Sequence, residues 1–192
     1  MNILILDGGP RDSRGQASRT IAALVSEESQ ARGHAVTAFE LDGLDIKPCR
    51  GCFACWLKHP GTCAIRDGQE PVLRAMAAAD LQVWITPVTF GGYSSALKKT
   101  LDRFIPNALP YFVRRQGEVH HPPRYERRRG LLVVGTLADR DPEVEAIFHD
   151  LVGRNAINLP SVLTEDIVVR AGQEEAAADR VKGLFDAVEE AL

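Results

Sequence analysis

Five short apolar runs punctuate the chain: "NILILD" at 2–7, "HAVTAFEL" at 34–41, "LQVWITPV" at 81–88, "LLVVGT" at 131–136 and "VLTEDIVV" at 162–169. Each has the length of a strand, and two of them, "ILIL" and "LLVV", lack polar alternation, which suits strands covered on both faces. Between and after the runs, apolar residues return at intervals of three and four. The sets are Ala17, Ile21, Leu24, Val25; Leu97, Leu101, Phe104, Ile105; Val144, Ile147, Phe148, Leu151, Val152; and Val181, Leu184, Phe185, Val188, Leu192. That spacing places apolar side chains along one helical face. Asp67 with Glu70 predicts a capping box for a helix over 68–79, and Asp141-Pro142 predicts an N-cap followed by the first helical position.

Strands alternating with helices imply right-handed crossovers and a parallel sheet with helices on both faces. Five strands predict a doubly wound α/β sheet of the flavodoxin type, in which ligands sit beyond the carboxyl ends of the strands at the topological switch point. A chain of 192 residues forms one domain, 1–192, with enough mass for an ordinary core. The formal net charge of -3 removes the electrostatic case for nucleic acid, so a small molecule or a protein is the expected partner. No apolar stretch reaches membrane-spanning length and no leader pattern precedes "ILIL", so a cytoplasmic protein is expected.

The strand-end rule directs attention to two loops. After the first strand, "DGGPRDSRGQASRT" at 7–20 leads into a helix. Gly8 and Gly9 permit close backbone approach, Arg11 adds charge, Ser13, Ser18 and Thr20 add hydroxyls, and a helix amino terminus attracts phosphate. The loop lacks both G-K-(S/T) and G-x-G-x-x-G. After the third strand, "TPVTFGGYSSALKKTLDRF" at 86–104 offers aromatic faces at Phe90 and Tyr93, flexible backbone at Gly91-Gly92, and hydroxyls at Thr89, Ser94 and Ser95. One loop suits a phosphate and the other a planar ring, the two ends of a mononucleotide.

These loops resemble those of a known family. "GGPR" is similar to the G-S-P-R phosphate loop of the NADPH-dependent FMN reductase family, and "TPVTFGGYSSALKKTLDR" resembles its flavin loop, P-V-x-(F/W/Y)-G…L-K…D-R. The likeness covers most of residues 1–110 and continues more thinly through "LLVVGT" and "VGRNAINL". In one departure, Gly9 stands where the family has serine. The resemblance implies FMN, with Gly9, Pro10, Arg11, Ser13 and Ser18 around its phosphate. It also implies Pro87, Val88, Thr89, Phe90 and Gly91 along the isoalloxazine, and Gly135 with Thr136 approaching from the fourth strand end. The implied activity is that of an NAD(P)H oxidoreductase passing electrons through flavin to an unidentified small-molecule or protein acceptor, with no catalytic side chain, in a homo-oligomer (dimer or tetramer). The alternative is a non-enzymatic carrier of the flavodoxin kind, which a modest net charge and a basic stretch at 113–129 disfavour.

All four cysteines lie in "CRGCFACWLKHPGTC", as Cys49, Cys52, Cys55 and Cys63, a segment inserted after the second strand. Four thiolates suit a 4Fe–4S cluster or tetrahedral zinc, and three cysteines at intervals of three followed by a fourth look more like a cluster set. The motif resembles the compact cysteine cluster of iron–sulfur flavoproteins. Relatives of the FMN reductase type also carry such stretches as free thiols, so cluster, free thiols and zinc all stay open, with His59 inside the last gap. Because this segment leaves the same carboxyl edge as the two loops, its thiols could lie near a flavin rather than on a remote face. The arginine-rich stretch 113–129, with His120 and His121, reads as a solvated excursion or subunit contact, or as a clamp for a nicotinamide phosphate.

Overall fold

The computed structural model describes residues 1–170, 172–175 and 178–191. In chain order the elements are β1 (Asn2–Asp7), α1 (Gln16–Ala31), β2 (Ala35–Glu40), α2 (Ala54–Leu57), α3 (Gln69–Ala78), β3 (Leu81–Pro87), α4 (Ser95–Asp102), β4 (Val113–Arg115), β5 (Glu118–His120), β6 (Gly130–Leu137), α5 (Pro142–Asn158), β7 (Leu163–Arg170) and α6 (Ala178–Ala191). The sheet has the order β2-β1-β3-β6-β7 and every pairing in it is parallel. This is the flavodoxin-type order, with its switch point between β1 and β3.

Alternation within the central strands divides the core into two halves. Ile3, Ile5, Val83, Ile85, Leu132 and Val134 meet Ile21 and Val25 of α1 and Phe185 and Val188 of α6. Leu4, Leu6, Trp84, Leu131 and Val133 meet Val72 and Met76 of α3, Leu97 of α4, and Phe148 and Val152 of α5. Each such side chain contributes about 1.5–3 kcal/mol when fully buried, which is why continuous apolar runs are needed in strands covered twice. Buried Gln82 is accommodated because its Nε2 donates to Met76 O at 3.0 Å while its Oε1 accepts from Trp84 Nε1 at 3.2 Å.

The Asp141 cap holds: its carboxylate accepts from Glu143 N and Val144 N, both at 3.2 Å. Half of the capping box at α3 forms: Asp67 Oδ1 accepts from Gln69 N at 3.1 Å while its Oδ2 is ion-paired with buried Arg103, but the reciprocal bond is missing because Glu70 turns outward to Arg66 and Arg74. On α1 the buried stripe is Ser18, Ile21, Val25 and Ser29, with Leu24 at its border. Phe104 and Ile105 lie beyond α4, which ends at Asp102. Leu192 lies outside the described residues. The basic stretch is partly ordered as an antiparallel hairpin, β4 with β5, turning through Gln116 and Gly117 at φ 49° and 82°. Two successive positive φ angles make the tight turn that matches strand twist.

Gly135 in β6 has neighbours that leave no room for a methyl group: an added Cβ would stand 2.7 Å from Val88 Cγ2 and 2.9 Å from Phe148 Cε1. Gly135→Ala is therefore expected to cost about 1–3 kcal/mol. Denaturant unfolding should also show that the penalty shrinks in a Phe148→Leu background, and equal penalties in both backgrounds would exclude this contact as the cause.

Candidate functional site

The first and third strand ends touch at Gly8. Its N–H donates to Ile85 O at 2.8 Å, and Ser94 Oγ, the N-cap hydroxyl of α4, donates to Gly8 O at 2.6 Å. A Cβ at Gly8 would stand 2.7 Å from Ser94 Oγ and 2.8 Å from Leu97 Cβ, so only glycine lets the loops meet this closely.

The loop after β1 is folded tightly onto α1. A Cβ at Gly15 would lie 1.8 Å from Pro10 O, and one at Gly9 would lie 2.7 Å from Ser18 Cβ and 3.0 Å from Asp7 Oδ1. The departure from serine at position 9 thus has a physical reason: Asp7 and buried Ser18 already occupy the space of its side chain. Asp7 Oδ1 accepts from Gly9 N at 2.8 Å. Burial pushes the Asp7 carboxyl up to about 6, the Gly9 N–H opposes that, and Glu40 raises it further while Arg19 lowers it. Neither Gly15 nor Asp7 stood out in the sequence. Gly15 lies outside the G-G-P-R motif, and Asp7 reads there as the polar end of a strand.

Helix α1 continues a single 3-10 turn, Ser13–Gly15, at whose start Asp12 Oδ1 accepts from Arg14 N at 2.9 Å and within which Gln16 N–H is bonded to Ser13 O; Gly15 itself gives α1 no side-chain cap. By contrast, Ser94 caps α4 and Asp141 caps α5. Arg11 points away from this end: its N–H donates to Asp42 Oδ2 at 3.1 Å and its guanidinium lies over Gly43. Arg19 is committed to Pro10 O and Asp12 O at 2.8 and 2.9 Å. The cation beside the start of α1 is Arg14, paired with Asp12.

An open groove of about 920 Å³ runs along the carboxyl edge of the sheet. It is bordered by Ser13, Arg14, Gln16 and Ala17 from the first loop, Pro87, Val88 and Phe90 from the third strand end, and Thr136 and Leu137 from β6. Of the predicted residues, Ser13, Pro87, Val88 and Phe90 border it, while Gly9, Pro10, Arg11, Ser18, Thr89, Gly91 and Gly135 stand behind or beside it. Thr89 and Gly92 exchange two hydrogen bonds of 2.9 Å, closing a turn whose central residues Phe90 and Gly91 have φ 51° and 76°. That turn holds the Phe90 ring 99% exposed at the groove's rim. A positive φ at phenylalanine is strained, and the turn maintains it without covering the ring.

The four cysteines border one small cavity of about 20 Å³, together with Arg103. Cys49 and Cys52 are exposed, Cys55 is buried on α2, and none is in a disulfide. Burial pushes the Cys55 thiol up, and its neighbours Cys63, Cys52 and Cys49 add to the shift. Arg103 Nη2 donates to Cys63 Sγ at 3.2 Å, and the fully buried Arg103 Nε has no partner. Among the described residues no three ligand side chains stand preassembled for a metal ion. His59 is exposed and does not border this cavity.

The four thiols lie away from the start of α4. They gather about Arg103, at the end of α4 opposite Ser94, and an eight-residue helix separates the two ends by about 12 Å. The chain between β2 and α3 is drawn there because Arg103 also binds Lys47 O at 3.0 Å and Asp67.

The Asp7 carboxyl supplies a pH test. Its native pKa stands above the ordinary value, so the native state holds a proton that the unfolded chain releases between about pH 4 and 6. Stability therefore falls as pH rises through that window. Asp7→Asn, which keeps the acceptor for Gly9 N–H, is expected to gain about 1–3 kcal/mol over the parent above pH 7 and little at pH 4. Thermal melts of both proteins across pH 4–8 check this, and a gap independent of pH would refute it.

Comparison with known proteins follows the same lines. The family model described as NADPH-dependent FMN reductase matches residues 1–162. An iron-sulfur flavoprotein of Archaeoglobus fulgidus is 33% identical over 103 residues, covering 54% of this chain and 48% of that protein. One from Methanosarcina thermophila is 30% identical over 105 residues, covering 55% and 53%. The chain spans about half the length of these curated relatives. Among solved structures, the NAD(P)H:quinone oxidoreductase from Methanothermobacter marburgensis superposes with a TM-score of 0.68 at 14% identity, over 94% of this chain and 95% of that one. An FMN-dependent NADH-azoreductase from Bacillus anthracis in complex with FMN gives 0.64 at 13%, over 98% of both. The structural likenesses establish the flavodoxin-like fold, and with the model match over residues 1–162 the chain belongs to the NADPH-dependent FMN reductase family.

Proposed function

We propose that this protein is an FMN-dependent NAD(P)H oxidoreductase. The observation that carries the proposal is the groove at the switch point, where the loop and first turn leading into α1 face a strained aromatic turn across the ends of β1, β3 and β6. The residues present fit FMN. The first-turn N–H groups of α1, with the Ser13 hydroxyl and Arg14, would hold the phosphate, and the Pro87–Val88 backbone with the Phe90 ring would take the planar ring. Bound there, FMN supplies two-electron acceptance from a reduced nicotinamide and onward release of electrons.

The chain's own part is binding and orientation. Gly8 keeps the two loops close enough to act together, since a side chain there would wedge them apart, and Gly15 keeps the first loop folded back on α1 against Pro10 O. The buried Asp7 carboxyl braces Gly9, and the exposed Phe90 ring stands at the groove's rim, free to pack on a bound ring. The carrier alternative has no specific support here, because the broad groove leaves room beside the ring for a second planar molecule.

The four thiols fit a 4Fe–4S cluster in donor chemistry: four sulfurs border one cavity, and a buried guanidinium donates to one of them, favouring thiolate. A cavity of about 20 Å³ is no larger than one water needs, so loading requires the exposed Cys49 and Cys52 to move outward. Cys49, Cys52, Cys55 and Cys63 would be the ligands, and the cluster would offer single-electron exchange. A homo-oligomer and a cytoplasmic setting complete the proposal. No helix among the described residues is long and apolar enough to cross a membrane.

Protein prepared without oxygen is expected to bind FMN, to bleach its yellow band with NADPH or NADH, and to carry about four irons per chain. Gly15→Ala should weaken FMN binding at least about tenfold while leaving the iron content unchanged. Flavin binding without nicotinamide-dependent bleaching would favour the carrier. Flavin without iron would remove the cluster and leave the oxidoreductase.

A further inference from the structure

A second cavity, of about 330 Å³, lies away from the groove, between the segment following α4, the cysteine segment and the chain leading into β7. Its walls include Phe53, Trp56, Phe104 and His121, with Asn158 and Arg129 also bordering it. It shares no residue with the flavin groove, but Phe53 and Ile105 also border the thiol cavity.

The aromatic walls are held in place. Trp56 Nε1 donates to Ile105 O at 3.1 Å and Ala108 O at 2.9 Å, which fixes the indole. Phe53 stacks on Trp56 with ring centroids 5.3 Å apart, and His121 leans on Trp56 at 4.7 Å. His121 Nδ1 is itself tied to Tyr111 O at 2.8 Å.

Arg129 is the unusual member. It is 6% exposed, yet the one protein hydrogen bond of its guanidinium among the described residues is a long one, Nη1 to Met76 O at 3.4 Å. No carboxylate among the described residues pairs with it, and its charged neighbour is Arg127, of the same sign and already paired with Asp80. Buried Arg103, by contrast, has Asp67. A buried guanidinium without a counter-charge is costly, and it is relieved when a carboxylate accepts from its fork. The carboxylate on the cavity wall, Asp102, is already paired with Lys98.

We infer that this cavity is a binding site for a small planar aromatic monocarboxylate, its ring against Trp56 and Phe53 and its carboxylate on Arg129. The volume lies at the lower end of the range of ligand pockets and suits one ring with a single anionic group. The site does not depend on the flavin proposal, although a ligand there would lie one side chain away from the four thiols.

The test uses benzoate as the probe on the full chain, following tryptophan emission and calorimetry. Trp84, the other tryptophan, is fully buried in the core and borders none of this cavity, so a saturable change reports on Trp56. Benzoate is expected to saturate, with benzamide and acetate each binding roughly tenfold more weakly or worse, because one lacks the charge and the other the ring. Arg129→Gln should lose about tenfold or more in benzoate affinity without changing FMN affinity. Should that variant fail to fold, Arg129→Lys, which keeps charge without the fork, is expected to weaken benzoate measurably and to retain its preference over benzamide. Equal affinity for benzoate and benzamide, no saturable response to benzoate, or unchanged benzoate affinity in a folded Arg129 variant would each overturn the assignment.

Discussion

The close approach of backbone at Gly8 carries the rest of the site. The first loop donates through Gly8 N to the end of β3 and accepts through Gly8 O from the hydroxyl that caps α4, with no space left for a side chain. Because Ser94 serves Gly8 and the first turn of α4 together, the loop after β1, the turn after β3 and the start of a core helix move as one body. The groove at the switch point is a consequence. Two loops that would otherwise splay apart become its walls, with the first turn of α1 bordering it.

A second constraint acts at the other end of α4. Arg103, fully buried, gathers Asp67, the Lys47 carbonyl, the Ile65 carbonyl and the Cys63 sulfur. The ion pair is not cheap to bury, but removing either partner would strand a charge, so it holds the cysteine segment in register against α4. In the D-R pair that ends the flavin-loop motif, the arginine therefore organises the thiols instead of touching the groove. One short helix, α4, links the loop after β3 to the cysteine cavity, and its length keeps the two apart.

Strain and burial are distributed unevenly. Phe90 sits at a positive φ on the groove's rim and Phe53 at a positive φ beside the thiols, whereas the central strands contain no comparable departure. The two unusual buried charges, Asp7 and Arg129, lie behind the groove and beside the aromatic cavity. A core optimised for stability alone would contain neither.

Much of the architecture was legible in residue order. Apolar runs placed every strand of the main sheet to within one residue, most plainly β1, β3 and β6, because strands buried on both faces need uninterrupted Val, Ile and Leu. Strand and helix alternation set the fold class, and glycine-rich strand ends marked which loops build the groove. The β4–β5 hairpin was hidden, since its strands are short, charged and largely solvated. Side-chain direction was beyond reach as well. Arg11 and Arg14 are equivalent as letters, yet one lies over Gly43 and the other borders the groove. Gly9 looked like a lost hydroxyl, when Asp7 and Ser18 had taken its space. The segment of four cysteines leaves the strand edge nearest the flavin loops, and composition alone placed it there. Only the long-range pull of Arg103 on Asp67 and Cys63 carries it to the far end of α4, because burial of a charge is a property of the assembled chain and not of its order.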